Sequence, residues 1–107
     1  MAFYELRQYQ VRPGKMNEWL QFMEEEVIPL QVGKGMVITG CFRGETDESV
    51  FVWMRRFESE SERERQYAAV YDTDHWKNYV HHRVIELIDI ETIAVQRIVP
   101  IRLSPAQ

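Results

Sequence analysis

The amino-acid sequence predicts an α+β fold in which an antiparallel sheet of four strands carries helices on one face. Two observations lead to this prediction. Apolar residues alternate in four short segments, as in strands, and recur every three or four residues in longer segments, as in helices. These segments follow the order β-α-β-β-α-β, the split βαβ or ferredoxin-like arrangement. At 107 residues the chain has the usual size of one domain, so we assign residues 1–107 to a single domain.

The first strand and the first helix are predicted within residues 3–30. Residues 3–11 are rich in aromatic and apolar side chains and contain no Gly or Pro, which is typical of a strand. Beyond Pro13 and Gly14, apolar residues recur with the spacing of one helical face. These are Met16, Trp19, Leu20, Met23, Val27 and Leu30. Pro29 is expected to bend or end this helix one turn early, because proline lacks an N–H and crowds the preceding turn.

Two further strands and the start of a second helix are predicted in the middle of the chain. Residues 36–43 and 50–57 are strand-like, and the polar segment between them has a length that suits a hairpin. Ser59 is followed three residues later by Glu62. This spacing is a capping box, so a helix is expected to begin here.

The second helical region is expected to break once before the last strand. Residues 72–74 interrupt the helical pattern, and Thr73 or Asp74 is the expected cap of a new helical stretch. The apolar stripe of that stretch consists of Trp76, Tyr79, Val80, Val84 and Leu87. Residues 90–99 are the last predicted strand.

Composition and charge exclude several classes of partner. The net charge is −4 and no long basic run is present, so we expect no nucleic-acid partner. No signal peptide and no apolar segment long enough to span a bilayer is found, so we expect no membrane insertion. The single cysteine cannot form an internal disulfide. A cytoplasmic protein is therefore the expectation.

The predicted sheet has apolar side chains on both faces. In residues 50–57, Phe51, Trp53 and Phe57 share one face and Val50, Val52 and Met54 share the other. In residues 36–43, Ile38 and Phe42 are expected opposite Val37 and Cys41. Because the helices cover only one face, the other face would expose a large apolar patch. We therefore expect a homodimer that pairs sheet to sheet, since the eight C-terminal residues are too few to cover the whole face.

Two stretches also resemble a known family. Tyr-Glu-Leu-Arg-x-Tyr at residues 4–9, followed by Pro-Gly-Lys at residues 13–15, resembles the opening of NIPSNAP-type proteins. Residues 53–78 resemble the second half of those proteins. The resemblance implies a dimeric α/β barrel whose biochemical activity is poorly defined. Related dimeric barrels include cofactor-free monooxygenases of quinone-like aromatics and haem-degrading enzymes, with sites between a sheet and its own helices or near the barrel mouth.

Haem degradation is disfavoured by the first strand. The haem-degrading relatives carry an asparagine there, whereas this chain offers Gln8 or Gln10. The histidines His75, His81 and His82 lack the spacing of a shared metal site. We therefore expect neither a cofactor nor a metal.

Charged residues inside apolar strands are the candidates for function. Glu5 and Arg7 lie on the same strand face as Tyr9. One interpretation is an ion-pair network between the two sheets of a dimer, in which Glu5 pairs with a strand arginine and sets the register. The other is a cavity where Arg7 or Arg55 meets an acidic or carbonyl group of an aromatic ligand. The candidate ligand-binding residues are Arg7, Tyr9, Trp53, Arg55, His75, Trp76 and Tyr79.

Three functional hypotheses follow. The first is a dimeric module that binds a small hydrophobic or aromatic molecule without transforming it. The second is a cofactor-free monooxygenase or isomerase of an aromatic, quinone-like substrate, with Arg7, Tyr9, His75 and Trp76 as its polar groups. The third is a purely structural self-association domain. Catalytic residues are not identified, because no constellation of acid, base and orienting group is present in the sequence.

Overall fold

The computed structural model describes residues 1–107 and confirms the predicted order of strands and helices. The four strands are β1 (Phe3–Val11), β2 (Val37–Arg43), β3 (Val50–Phe57) and β4 (Ile88–Ile98). They form one antiparallel sheet in the order β2-β3-β1-β4. The helices are α1 (Met16–Phe22), α2 (Ile28–Gly33), α3 (Glu60–Tyr71) and α4 (His81–Leu87). None of them combines the length and the apolar character needed to cross a bilayer.

Both predicted helix caps are present. The Ser59 hydroxyl accepts a hydrogen bond from the backbone N–H of Glu62 at 3.1 Å, which confirms the predicted start of α3. The Thr73 hydroxyl accepts from the backbone N–H of Trp76 at 3.2 Å, so Thr73 caps the second helical stretch. In each case a side-chain oxygen satisfies an N–H that has no partner within its own helix.

The first helical segment does not end at Pro29, so the expectation was wrong in so far as it placed the end of the helix there. Between α1 and α2 the chain forms a π-helical turn, Met23–Val27, in which the N–H of Ile28 bonds to the carbonyl of Met23. Pro29 lies in the first turn of α2, directly after this π turn. A proline is tolerated in a first turn because its missing N–H is not needed there, so the helical path continues to Gly33.

The helices pack on the face of the sheet formed by alternate residues of β1 and β3. Along β3 every second residue is buried: Phe51, Trp53, Arg55 and Phe57. The three aromatic side chains among them, together with Trp19, Met23 and Val80 of the helical segments, belong to the hydrophobic core. The strand alternation predicted for residues 50–57 is thus confirmed.

The alternation predicted for β2 was wrong because this strand contains a bulge. Ile38 pairs with Arg55 and Gly40 pairs with Met54, so Thr39 is an additional residue. A bulge of this kind reverses the facing of every residue beyond it. Ile38 therefore lies opposite a helix-facing residue, whereas Phe42 pairs with Val52 on the open face.

The open face of the sheet remains apolar and is covered only at one corner. Val37 and Phe42 are 47% and 57% exposed. The C-terminal segment folds back beside β1, where the hydroxyl of Tyr4 donates to the backbone carbonyl of Gln107 at 3.1 Å. A hollow of about 290 Å³ lies between this segment and the sheet. Most of the face is left without a covering element.

Candidate functional site

A partly open cavity of about 210 Å³ lies between the sheet and the helices. Aromatic and aliphatic side chains form most of its wall, and all three tryptophans of the chain are among them. The lining residues are Arg7, Tyr9, Trp19, Met23, Val27, Gln31, Trp53, Tyr71, Trp76, His81, Val84, Ile90 and Ile93. The wall is therefore mostly apolar with a few polar groups.

Both π-helical turns border this cavity. Met23 and Val27, the ends of the first turn, line it. The second turn is Trp76–Val80, in which the N–H of His81 bonds to the carbonyl of Trp76. Because the π turn inserts a residue, His81 joins Trp76 on the cavity wall, where ordinary helical spacing would place Tyr79 or Val80. Such turns are frequent at functional sites.

An irregularity of β4 supplies the remaining side of the cavity. Gln8 pairs with Ala94 and Gln10 pairs with Asp89. Between these two pairs β4 advances by five residues and β1 by two, so β4 contains excess residues here. The hydroxyl of Thr92 donates to the carbonyl of Asp89 at 2.7 Å and holds the excess residues in place. Ile90 and Ile93, which flank Thr92, line the cavity as a result.

A buried ion pair lies beside the cavity. The Arg55 guanidinium, 0% exposed, donates to the Glu5 carboxylate at 2.8 Å, and Glu5 itself is 1% exposed. Arg55 also donates to the hydroxyls of Tyr67 and Tyr71, both at 2.6 Å, and to the amide oxygen of Gln31 at 3.1 Å. A buried charge with this many partners is well compensated.

The neighbours of this pair hold each group in one protonation state. Burial raises the pKa of the Glu5 carboxyl, but the hydrogen bond from Tyr67 and the guanidiniums of Arg63 and Arg55 outweigh burial and place that pKa below its usual value. Burial raises the pKa of Tyr67 to about 12. At neutral pH Glu5 is therefore a carboxylate, and Tyr67 is a neutral phenol that donates to it at 2.6 Å.

Arg7 differs from Arg55 because it makes no hydrogen bond to a carboxylate. Its Nε donates to the hydroxyl of Tyr9 at 2.9 Å and its Nη1 to the hydroxyl of Tyr67 at 3.4 Å. The nearest carboxylate oxygen, on Glu5, is 3.8 Å away and already bonded to Arg55. The Arg7 side chain is 17% exposed. It is therefore a largely buried cation that lines the cavity with a phenol as its closest partner.

The structure brings together four of the seven predicted ligand-binding residues, namely Arg7, Tyr9, Trp53 and Trp76. The other three are not part of the wall. Arg55 lies behind it, bonded to the wall residues Gln31 and Tyr71. His75 and Tyr79 stack on each other with ring centroids 5.5 Å apart, and Tyr79 is 45% exposed.

The predicted partner of Glu5 is confirmed, but its predicted location is wrong. Glu5 pairs with the strand arginine Arg55, as expected. The pair is buried within one chain, because Glu5 also accepts from Arg63 and Tyr67 of α3 at 2.7 and 2.6 Å. It therefore lies under the helices instead of between two sheets, and it cannot set the register of a sheet-to-sheet dimer.

Sequence reasoning missed nine wall residues. They are Trp19, Met23, Val27, Gln31, Tyr71, His81, Val84, Ile90 and Ile93. Three of them, Trp19, Met23 and Val27, belong to the predicted apolar stripe of the first helix, so that stripe was the available signal. His81 and the two isoleucines depend on the π turn and on the β4 irregularity, for which the sequence shows no signal. No group of three or more His, Cys, Asp or Glu is placed to hold a metal ion.

Comparisons with known proteins agree with this fold. The family model described as NIPSNAP matches residues 4–105. A NIPSNAP family protein of Agrobacterium tumefaciens superposes over all of both chains with a TM-score of 0.87 at 24% identity. A NIPSNAP-like domain protein of Burkholderia xenovorans superposes with a TM-score of 0.85 at 24% identity, covering 97% of this chain and 89% of its own.

A second Agrobacterium tumefaciens protein, described as a NIPSNAP family protein with unknown function, has a TM-score of 0.87 at 24% identity and covers 99% of this chain and 94% of its own. No curated protein matches the chain. The family model covers nearly the whole chain and the fold agrees throughout, so this protein belongs to the NIPSNAP family.

Proposed function

We propose that this domain binds a small aromatic or similarly apolar molecule in the cavity between its sheet and helices. The observation that carries the proposal is the wall itself, where the three tryptophans and two tyrosines surround a space of about 210 Å³ beside one arginine. A dry cavity of about 150 Å³ holds a benzene molecule. By proportion, this cavity fits one substituted ring of about eight non-hydrogen atoms.

Tryptophan fluorescence tests the proposal directly, because every tryptophan of the chain lines the cavity. We expect toluene to change the emission in a saturable way. Val84→Phe, which places a ring within the wall, should abolish this change. Val32→Phe is the matched control, since Val32 lies on α2 and is 53% exposed. Equal responses of both variants and the unmodified protein would show that toluene binds elsewhere.

We also propose that two copies pair through the open faces of their sheets. The support is the apolar face that no element of the chain covers, with Val52 of β3 near its centre, between Gln8 and Phe42 in the register. A symmetric pair would bury this face on both copies. Val52→Glu should give a monomer in sedimentation-equilibrium experiments, and Val32→Glu should leave the dimer intact. A monomeric unmodified protein would contradict this proposal.

Catalysis of an aromatic oxygenation or isomerisation is the second candidate, and one observation favours it. His81 lines the cavity together with Arg7 and Trp76, so an ionisable side chain faces the space where a ring would bind. Oxygen consumption with hydroquinones in air tests this candidate. His81→Ala should abolish the reaction, whereas His82→Ala, at the adjacent residue that does not line the cavity, should not. No consumption by the unmodified protein would favour the binding module.

A further inference from the structure

Apart from the histidine His81, the cavity wall contains one charged side chain, and it is positive. Among the thirteen lining residues there is no aspartate or glutamate, and Arg7 is the sole lysine or arginine. The polar side chains Gln31 and Tyr71 are already hydrogen-bonded to Arg55. The electrostatic character of the cavity is therefore decided mainly by Arg7.

The charge of Arg7 is incompletely neutralised inside the protein. Glu5 carries the one carboxylate at this end of the core, and three guanidiniums surround it. Arg55 and Arg63 bond to it at 2.8 and 2.7 Å, while Arg7 stays 3.8 Å away. The Nη2 group of Arg7 makes no hydrogen bond to another residue of the chain. A largely buried cation with a free donor group favours an additional anion.

A carboxylate also matches the hydrogen-bonding capacity of the Arg7 side chain. It offers two oxygens that only accept hydrogen bonds, which suits the donor groups of a guanidinium.

The size and apolarity of the cavity restrict the anion further. Most of the lining side chains are hydrophobic, so a dianion such as phosphate would lose its hydration on binding. The single guanidinium would then neutralise only one of its two negative charges. A single negative charge on a compact apolar body avoids this cost. About eight non-hydrogen atoms fit, which is close to the size of benzoate.

We infer that the natural ligand of this cavity is a small apolar monocarboxylate, with a single aromatic ring or a branched aliphatic chain, whose carboxylate binds Arg7. This inference rests on the proposed function and adds the charge of the ligand and the residue that recognises it. Arg7 suits the role because its planar fork matches the two oxygens of a carboxylate.

Fluorescence titrations with four probes test the inference on the whole chain: benzoate, its neutral analogue benzamide, toluene and inorganic phosphate. We expect benzoate to bind roughly 10- to 100-fold more tightly than benzamide, the gain typical of a charge-assisted hydrogen bond. Phosphate should neither bind nor compete. Arg7→Gln should lose the preference for benzoate and keep the binding of toluene. Arg65→Gln, which changes an exposed arginine of α3, is the matched control and should behave like the unmodified protein.

The outcomes separate this inference from the proposed function. Binding of toluene with equal affinities for benzoate and benzamide would overturn the inference and leave the binding function intact. Failure of every probe would overturn both. Competition by phosphate would refute the apolar monocarboxylate. If Arg7→Gln does not fold, the benzoate-to-benzamide ratio of the unmodified protein and of Arg7→Lys decides, since both retain the positive charge and should both prefer benzoate.

Discussion

Replacing Glu5 by glutamine tests the buried ion pair that supports the cavity. Glu5 is 1% exposed and is the carboxylate partner of Arg55, which is 0% exposed. The substitution keeps the shape of the side chain but leaves a buried guanidinium without a counter-ion. Removing one partner of a buried pair costs about 3–5 kcal/mol. Since a domain of this size unfolds with an entropy near 2.1 cal/mol/K per residue, the Tm should fall by roughly 13–22 °C.

Urea unfolding, followed by circular dichroism and tryptophan fluorescence, measures the loss in the free energy of unfolding. The titration is repeated at two protein concentrations, because self-association would make the apparent stability depend on concentration. Glu58→Gln is the matched control. Its partner Arg56 lies near the surface and Glu58 is exposed, so we expect no measurable change.

A cost for Glu5→Gln below about 1 kcal/mol would refute the reasoning, because it would mean that Arg55 is not short of a counter-ion in the folded chain. A double-mutant cycle with Arg55→Met checks the same point independently. The double variant should be less destabilised than the sum of the two single variants, since it also removes the buried guanidinium that Glu5→Gln leaves without a counter-ion. Additive effects would show that the two residues do not interact.

Three further predictions concern pH and local backbone structure. The pKa of Glu5 is lower in the folded chain than in the unfolded one. Its carboxylate therefore stabilises the fold above the unfolded pKa of about 4.3. This contribution is lost as pH falls through the pKa of the folded chain. The urea midpoint should therefore decline below about pH 4.5, and more steeply than in Glu5→Gln; parallel curves would contradict this. Thr73→Ala removes the cap on Trp76 and should lower the free energy of unfolding by about 1 kcal/mol in the same assay, whereas an unchanged value would show that the cap is dispensable. Gly35 has φ +95°, so Gly35→Ala should lower the free energy of unfolding by about 1–2 kcal/mol. Gly33→Ala, in the open last turn of α2, should be neutral or stabilising. A larger loss for Gly33→Ala than for Gly35→Ala would contradict the backbone geometry.

The order of elements could be predicted because it depends on patterns within each segment. Ser59 and Thr73 cap helices through contacts three residues away, which sequence spacing alone reveals. The alternation along β3 likewise needs no knowledge of the rest of the chain. Prediction failed where the pattern of one segment was interrupted, as at Thr39, whose bulge reverses the facing of β2 beyond it.

The face on which a charged residue lies was harder to predict. The sequence shows Glu5 in a strand and predicts a strand arginine as its partner, which is Arg55 in the structure. Because both faces of the sheet are apolar, the alternation does not tell which face the helices cover. Only the packing of α3, which brings Tyr67 and Arg63 against Glu5, shows that the pair is internal.

The sequence by itself determined the family, through the stretches at residues 4–15 and 53–78. It also determined the four strands and the helical segments, because local apolar spacing and capping residues specify them. The tertiary structure alone decided the cavity. Its wall includes His81, which joins Trp76 through a π turn, and Ile93, which joins it through the irregular pairing of β4. The π turn and the irregular pairing arise when helices and strands pack against each other, so the residues next to them in the sequence do not predict them.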